Sequence, residues 1–108
     1  MKLPKPPKKI RVGYKTYKVE RIESFGTSGQ LGKCNPHTST IQYKETESPV
    51  ENANTVLHET LHAIFYVYGM KEHDLMEEYV VNTLTNGLIN VLQENPKLLT
   101  FIEESIHE

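Results

Sequence analysis

The stretch from Ser48 to Gly69 leaves the chain little choice but a single long helix. Ser48-Pro49-Val50-Glu51 supplies an N-cap serine, a proline at the first helical position and a glutamate three residues after the cap. Apolar residues then recur at Val50, Ala53, Leu57, Leu61, Ile64, Phe65 and Tyr68, the spacing of a 3.6-residue stripe. Gly69 is a natural C-terminal cap. The pattern predicts a helix over 49–68. A helix with one apolar stripe must bury it against another layer.

The residues on either side supply that layer. From Ile10 the pattern alternates: Ile10, Val12 and Tyr14 share one side, then Tyr17 and Val19 after a change of face that Gly13 explains as a turn or bulge. Residues 24–32, rich in Gly and Ser, read as a loop. Gln30 to Cys34 and Thr40 to Lys44 flank Asn35-Pro36-His37-Thr38-Ser39 as the arms of a hairpin, with Ile41 and Tyr43 on one face. After Gly69, Asp74 with Glu77 three positions on repeats the capping spacing, and Leu75, Val80, Val81, Leu84, Leu88, Val91 and Leu92 make a second helical stripe. Gly87 inside that stripe predicts close approach of a neighbouring element. Asn95-Pro96 ends the second helix and opens a third, whose Leu98, Leu99, Phe101, Ile102 and Ile106 are expected to pack back onto the domain. The expected fold is α+β: a small, mainly antiparallel N-terminal sheet on two long helices, with a short C-terminal helix.

A chain of 108 residues, 37% hydrophobic and 24% charged, is one globular domain with a modest core. Residues 1–9, with Pro4, Pro6 and Pro7 among lysines, are expected to form a flexible basic arm, and 10–108 the single domain. One cysteine, Cys34, excludes an internal disulfide and a multi-cysteine zinc site, and makes a reducing cytoplasm the expected compartment. No apolar run approaches the roughly 20 residues that span a bilayer, and the Lys/Pro-rich start lacks the apolar segment of a secretory signal. The net charge of −2 hides an asymmetry: residues 1–21 hold eight of the twelve basic residues. Without interleaved aromatics or a nucleic-acid fold signature, this reads as a solvated arm and a charged strand face, so no nucleic-acid partner is expected.

His58-Glu59-Thr60-Leu61-His62 lies in the middle of the first helix. The four-residue spacing puts both imidazoles on one face, about 5–6 Å apart at Cβ, able to hold one Zn2+. Glu59 directly after the first ligand is placed to act as general base on a metal-bound water. By accident this pattern arises about three times per hundred chains of such composition, so its setting matters. Here it sits in a capped helix, beside an apolar stripe, and a helix carrying acids follows. A third ligand is needed that leaves one position open. Cys34, His37, His73 and His107 lie in loops or at the terminus and read as surface residues. Glu77 and Glu78 are better placed. Glu77 has a capping role available behind Asp74 yet lies on the centre line of the second stripe, and geometry alone leaves the choice open.

The segment Leu57-His58-Glu59-Thr60-Leu61-His62-Ala63, followed by Glu78-Tyr79-Val80-Val81-Asn82-Thr83-Leu84, resembles the zincin metallopeptidases that add a glutamate to HExxH. It is most similar to the compact ImmA/IrrE-like and related phage-encoded enzymes. In that group the glutamate on the following helix is the third ligand, and the residues after it match the pattern when it is set on Glu78. The resemblance therefore implies a minimal zincin-like domain holding zinc with His58, His62 and Glu78. It further implies peptide-bond hydrolysis with Glu59 as base and a protein or peptide substrate, with a regulatory protein as one such target. It gives Asn82 a role accepting a ligand histidine's ring N–H. It also makes Thr40–Lys44 the edge strand along which an extended substrate pairs. No Met-turn is present, and the metzincin third-histidine position is Tyr68. Tyr66, on the His62 face, and Tyr79, beside Glu78, are the available hydrogen-bond donors. From a different class, a zinc-stabilised interaction module without turnover would need the same three ligands.

Overall fold

The computed structural model describes residues 3–69 and 75–107. Four strands are followed by three helices: β1 (Lys9–Val12), β2 (Lys15–Ile22), β3 (Gly32–Asn35), β4 (Thr40–Lys44), α1 (Pro49–Tyr68), α2 (Leu75–Glu94) and α3 (Pro96–Ile106). The architecture is the expected α+β one, with a mostly antiparallel sheet. Among the described residues no helix is long and apolar enough to cross a membrane.

The sheet begins with a hairpin whose two-residue loop is Gly13-Tyr14, closed by the Val12–Lys15 pair. Gly13 has φ +60°, and a Cβ there would stand 2.7 Å from Val67 Cγ1 of α1, so only glycine suits this turn. Tyr14 therefore sits in the turn, exposed, rather than on the Ile10–Val12 face. The turn explains the shift of register seen in the sequence. Ile10 pairs with Tyr17, and Val19 with Ile41, so one face gathers the apolar residues while Lys9, Arg11 and Lys18 take the other. Val12, Tyr17, Ile41 and Ala63 form the core, with Ile10, Cys34 and Val67 packed against it.

The strand order is β1-β2-β4-β3, with β2 and β4 parallel and the outer pairs antiparallel. Thr40–Lys44 was expected at the edge, but β4 is flanked on both sides. Its parallel pairing with β2 leaves β3 as the outer strand. The two edge strands are β1 and Gly32–Asn35, and both border α1.

α1 starts as its sequence requires. Ser48 accepts a hydrogen bond from the Glu51 backbone N–H at 3.1 Å, and Asn52 binds the preceding loop through three hydrogen bonds to Thr46. Its buried residues are Asn52, Glu59, His62 and Ala63, whereas Val50, Ile64 and Tyr68 of the apolar stripe are exposed. The helix lies between the sheet and α2, and those two layers take its polar face as well as part of its stripe. α2 buries Glu77, Val81 and Thr85 against α1, and Asn54 donates to Asn86 across the pair at 3.1 Å.

Two packing expectations do not hold. α3 buries none of its residues, so its apolar side is not packed back on the domain. Gly87 has no atom within 4 Å of where a Cβ would be, so no element of the described chain approaches it. The expected cap Asp74 and the histidine His73 lie outside the described residues.

Candidate metal centre

α1 carries His58 and His62 one turn apart, and the first turn of α2 carries Glu77 and Glu78 opposite them. His58 Nε2 and His62 Nε2 are 3.2 Å apart. Each also lies 3.1 Å from an oxygen of the Glu78 carboxylate, Oε1 for His58 and Oε2 for His62. Three residues thus converge on one point, the grouping expected from the sequence. Tetrahedral zinc bound at about 2.0–2.1 Å has ligand–ligand edges of about 3.3 Å. The observed triangle fits that size.

Hydrogen bonding makes the fit chemical as well as geometric. His62 Nδ1 lies 2.6 Å from Glu77 Oε2, in a contact where both side chains are buried. A carboxylate accepts, so Nδ1–H donates to Glu77, and the neutral ring then presents a lone pair at Nε2. Nε2 is the nitrogen that faces the Glu78 carboxylate and His58 Nε2, so three atoms able to ligate a cation stand together. Glu77 therefore holds the His62 ring through Nδ1, the contact expected of Asn82, which is exposed on α2. A buried glutamate on the centre line of a helix stripe was the sequence signal for it, since such a group has to find a donor.

Glu59 is 7% exposed and lies against the edge strand. A Cβ on Gly32 would come within 2.8 Å of Glu59 Oε2, so the absence of a side chain there is what admits the carboxylate. Nothing in the sequence singled out Gly32 from the other loop glycines. Burial, and then the charge of Glu78, push the Glu59 pKa up to about 8. Burial and the neighbouring His62 lower that of His58. Cys34 is raised to about 12, first by burial and then by Glu59 and Glu77, which makes it an inert thiol.

Glu59, His62, Glu77 and Glu78 open onto a cleft of about 520 Å3, lined by β3, the β3–β4 turn, α1 and α2. Tyr66, one turn beyond His62, faces into it, with its ring 5.1 Å below the Lys15 ammonium and edge-on to His37. Tyr79, the other tyrosine considered, is 70% exposed and does not line the cleft. Cys34 and His37 line the cleft outside the three-residue cluster, and His107 is exposed beyond α3. No family model, no curated protein and no solved structure matches this chain.

Proposed function

We propose that this protein is a zinc-dependent peptidase, with His58, His62 and Glu78 as metal ligands and Glu59 as general base. The observation that carries this reading is the triangle of two imidazole nitrogens and a carboxylate at 3.1–3.2 Å, beside the buried carboxylate of Glu59. Two nitrogens and one carboxylate suit Zn2+, and three protein ligands leave the open position that separates catalytic from structural sites. The chemistry such an ion supplies is Lewis acidity, acidifying a water and polarising the scissile carbonyl.

The chain's own groups do the rest. Glu59, its pKa raised to about 8 by burial and then by the Glu78 charge, lies within about a unit of neutral pH, where a carboxylate can take a proton at Oε and return it to the departing amine. Glu77 fixes the His62 ring, and Tyr66 offers a hydroxyl to the oxygen on which charge develops. β3 is an edge strand along the cleft, and its free side suits an extended protein or peptide substrate added as a further strand. A lone cysteine is in keeping with a reducing, cytoplasmic setting.

The decisive experiment joins elemental analysis with a peptide-library digest. Wild type should hold one zinc per chain and cleave, lose cleavage to a chelator, and regain it with zinc. Glu59→Gln should keep the zinc and lose the cleavage. Zinc binding without cleavage of any peptide by wild type would leave the non-catalytic interaction module in its place.

A further inference from the structure

The second half of α2 is built unlike a solvent-facing helix. In a chain that is 24% charged, the fifteen residues from Tyr79 to Gln93 contain no charged side chain. Much of that stretch is nevertheless exposed, including Leu84 at 45%, Leu88 at 40% and Val91 at 40%. These three stand at i, i+4 and i+7, on one face. Gly87 lies among them, exposed, with nothing within 4 Å of its missing Cβ. A glycine inside a helix is costly, and its usual reason is close approach of another backbone. The described chain provides none.

α3 packs beside α2 and adds further exposed apolar residues. It is an 11-residue helix with no buried residue, shorter than the roughly 12–15 residues at which helices become marginal alone in water. Its Phe101 is 66% exposed and its Ile106 71%. The molecule's radius of gyration is 14.3 Å, against about 13 Å for a compact chain of this length. Taking a free side chain of these types as about 150–200 Å2, the exposed apolar residues of α2 from Leu84 onward and of α3 amount to roughly 600–800 Å2. That is close to what one partner contributes to a standard interface, about 800 Å2.

We propose that this face binds a second copy of the chain, with the two α2 helices crossing at Gly87 about a two-fold axis. In a two-fold interface each surface meets its own image, so any charge near the axis confronts its like. The stretch of α2 around Gly87, uncharged from Tyr79 to Gln93, meets that condition, whereas a different partner is recognised as well through complementary charge. The proposal is independent of the metal centre, which occupies the other end of α2.

Sedimentation equilibrium of the purified full chain up to about 100 μM tests it, with zinc content and circular dichroism read on the same samples. Wild type should sediment at twice its 12.4 kDa. Leu88→Glu should raise the dissociation constant at least 100-fold, and Gly87→Leu at least tenfold, both with helicity and zinc content unchanged. Gly87→Ala should weaken the dimer while raising the thermal stability of the monomer, a combination that only a close crossing produces. Wild type that stays at 12.4 kDa overturns the proposal, as does a Leu88→Glu dimer as tight as wild type. Capture of some other protein by a monomeric chain overturns it equally.

Discussion

The Glu77–His62 contact makes a graded prediction about metal affinity. Removing the carboxylate in Glu77→Ala deletes a 2.6 Å hydrogen bond to Nδ1 and leaves that N–H without its acceptor in a site where His62 is only 9% exposed. Two costs follow. A charge-assisted hydrogen bond is worth about 1.5–3 kcal/mol, and that is the expected loss of stability in metal-free protein. The imidazole is also freed to rotate and change tautomer, and losing such a partner weakens metal binding about 10–100-fold, or roughly 1.4–2.7 kcal/mol. Glu77→Gln keeps an acceptor oxygen without its charge, so it should fall between wild type and Glu77→Ala. Glu78→Ala removes a ligand and should lose more zinc affinity than either. Asn82→Ala should lose none. Competition with a chromophoric chelator gives the affinities, and urea unfolding of metal-free protein gives the stabilities. If Glu77→Ala binds zinc as tightly as wild type, the orienting role is wrong. If it binds as weakly as Glu78→Ala, Glu77 itself is a ligand.

Gly32→Ala should push Glu59 out of place, since the added methyl group meets Glu59 Oε2 at 2.8 Å and Thr55 Cγ2 at 2.7 Å. Zinc affinity should then change by less than about tenfold while kcat falls at least about tenfold, a split that steady-state kinetics and chelator competition resolve. In metal-free protein the Glu59 pKa of about 8 lies above its ordinary 4.5. The folded state therefore holds the extra proton, and this contribution, a few kcal/mol at most, is complete below pH 4.5 and lost as pH rises to about 8. His58 shifts the other way, its contribution being present above about 6.5 and lost on acidification. Thermal melts from pH 6.5 to 8.5 should thus fall for wild type and stay flatter for Glu59→Gln, and parallel slopes would refute the assignment. Asn52→Ala removes three hydrogen bonds to Thr46 and should cost about 1–3 kcal/mol in chemical denaturation, with zinc stoichiometry kept.

What was legible in the sequence was whatever depends on neighbours along the chain. The α1 boundaries follow from Ser48, Pro49 and Gly69. The facing of His58 and His62 follows from helix periodicity. The β1–β2 turn follows from Gly13, whose positive φ only glycine takes cheaply. What escaped depends on pairing between distant segments. Period-2 alternation marks β4 as half-buried but says nothing about which strands flank it, so the resemblance alone made Thr40–Lys44 the edge, where the sheet places Gly32–Asn35. The α1 stripe was legible as apolar, but the helix turns its polar face inward because the cluster has to stand between β3 and α2. Glu77 and Glu78 differ by one position, 100° around a helix. That is enough to send one carboxylate to Nδ1 of His62 and the other to the two Nε2 atoms, and only the placement of α2 against α1 decides which.

α2 shows how these failures are connected. Its first turn buries Glu77 because α1 supplies His62 to meet it, and Val81 and Thr85 continue the contact. Past Asn86, where the bond from Asn54 links the helices, the same stripe runs on through Leu88 and Val91, both 40% exposed, with no layer from the described residues over it. A stripe read from the sequence as core for a single chain assumes that the chain covers it. Here the apolar period persists for two further turns, charge stays absent, and a glycine stands where a neighbour would touch. The expectation that α3 folds back was the attempt to cover this surface from within. Its failure leaves the surface requiring cover from outside, and the absence of charge on it is the property that an identical surface can tolerate.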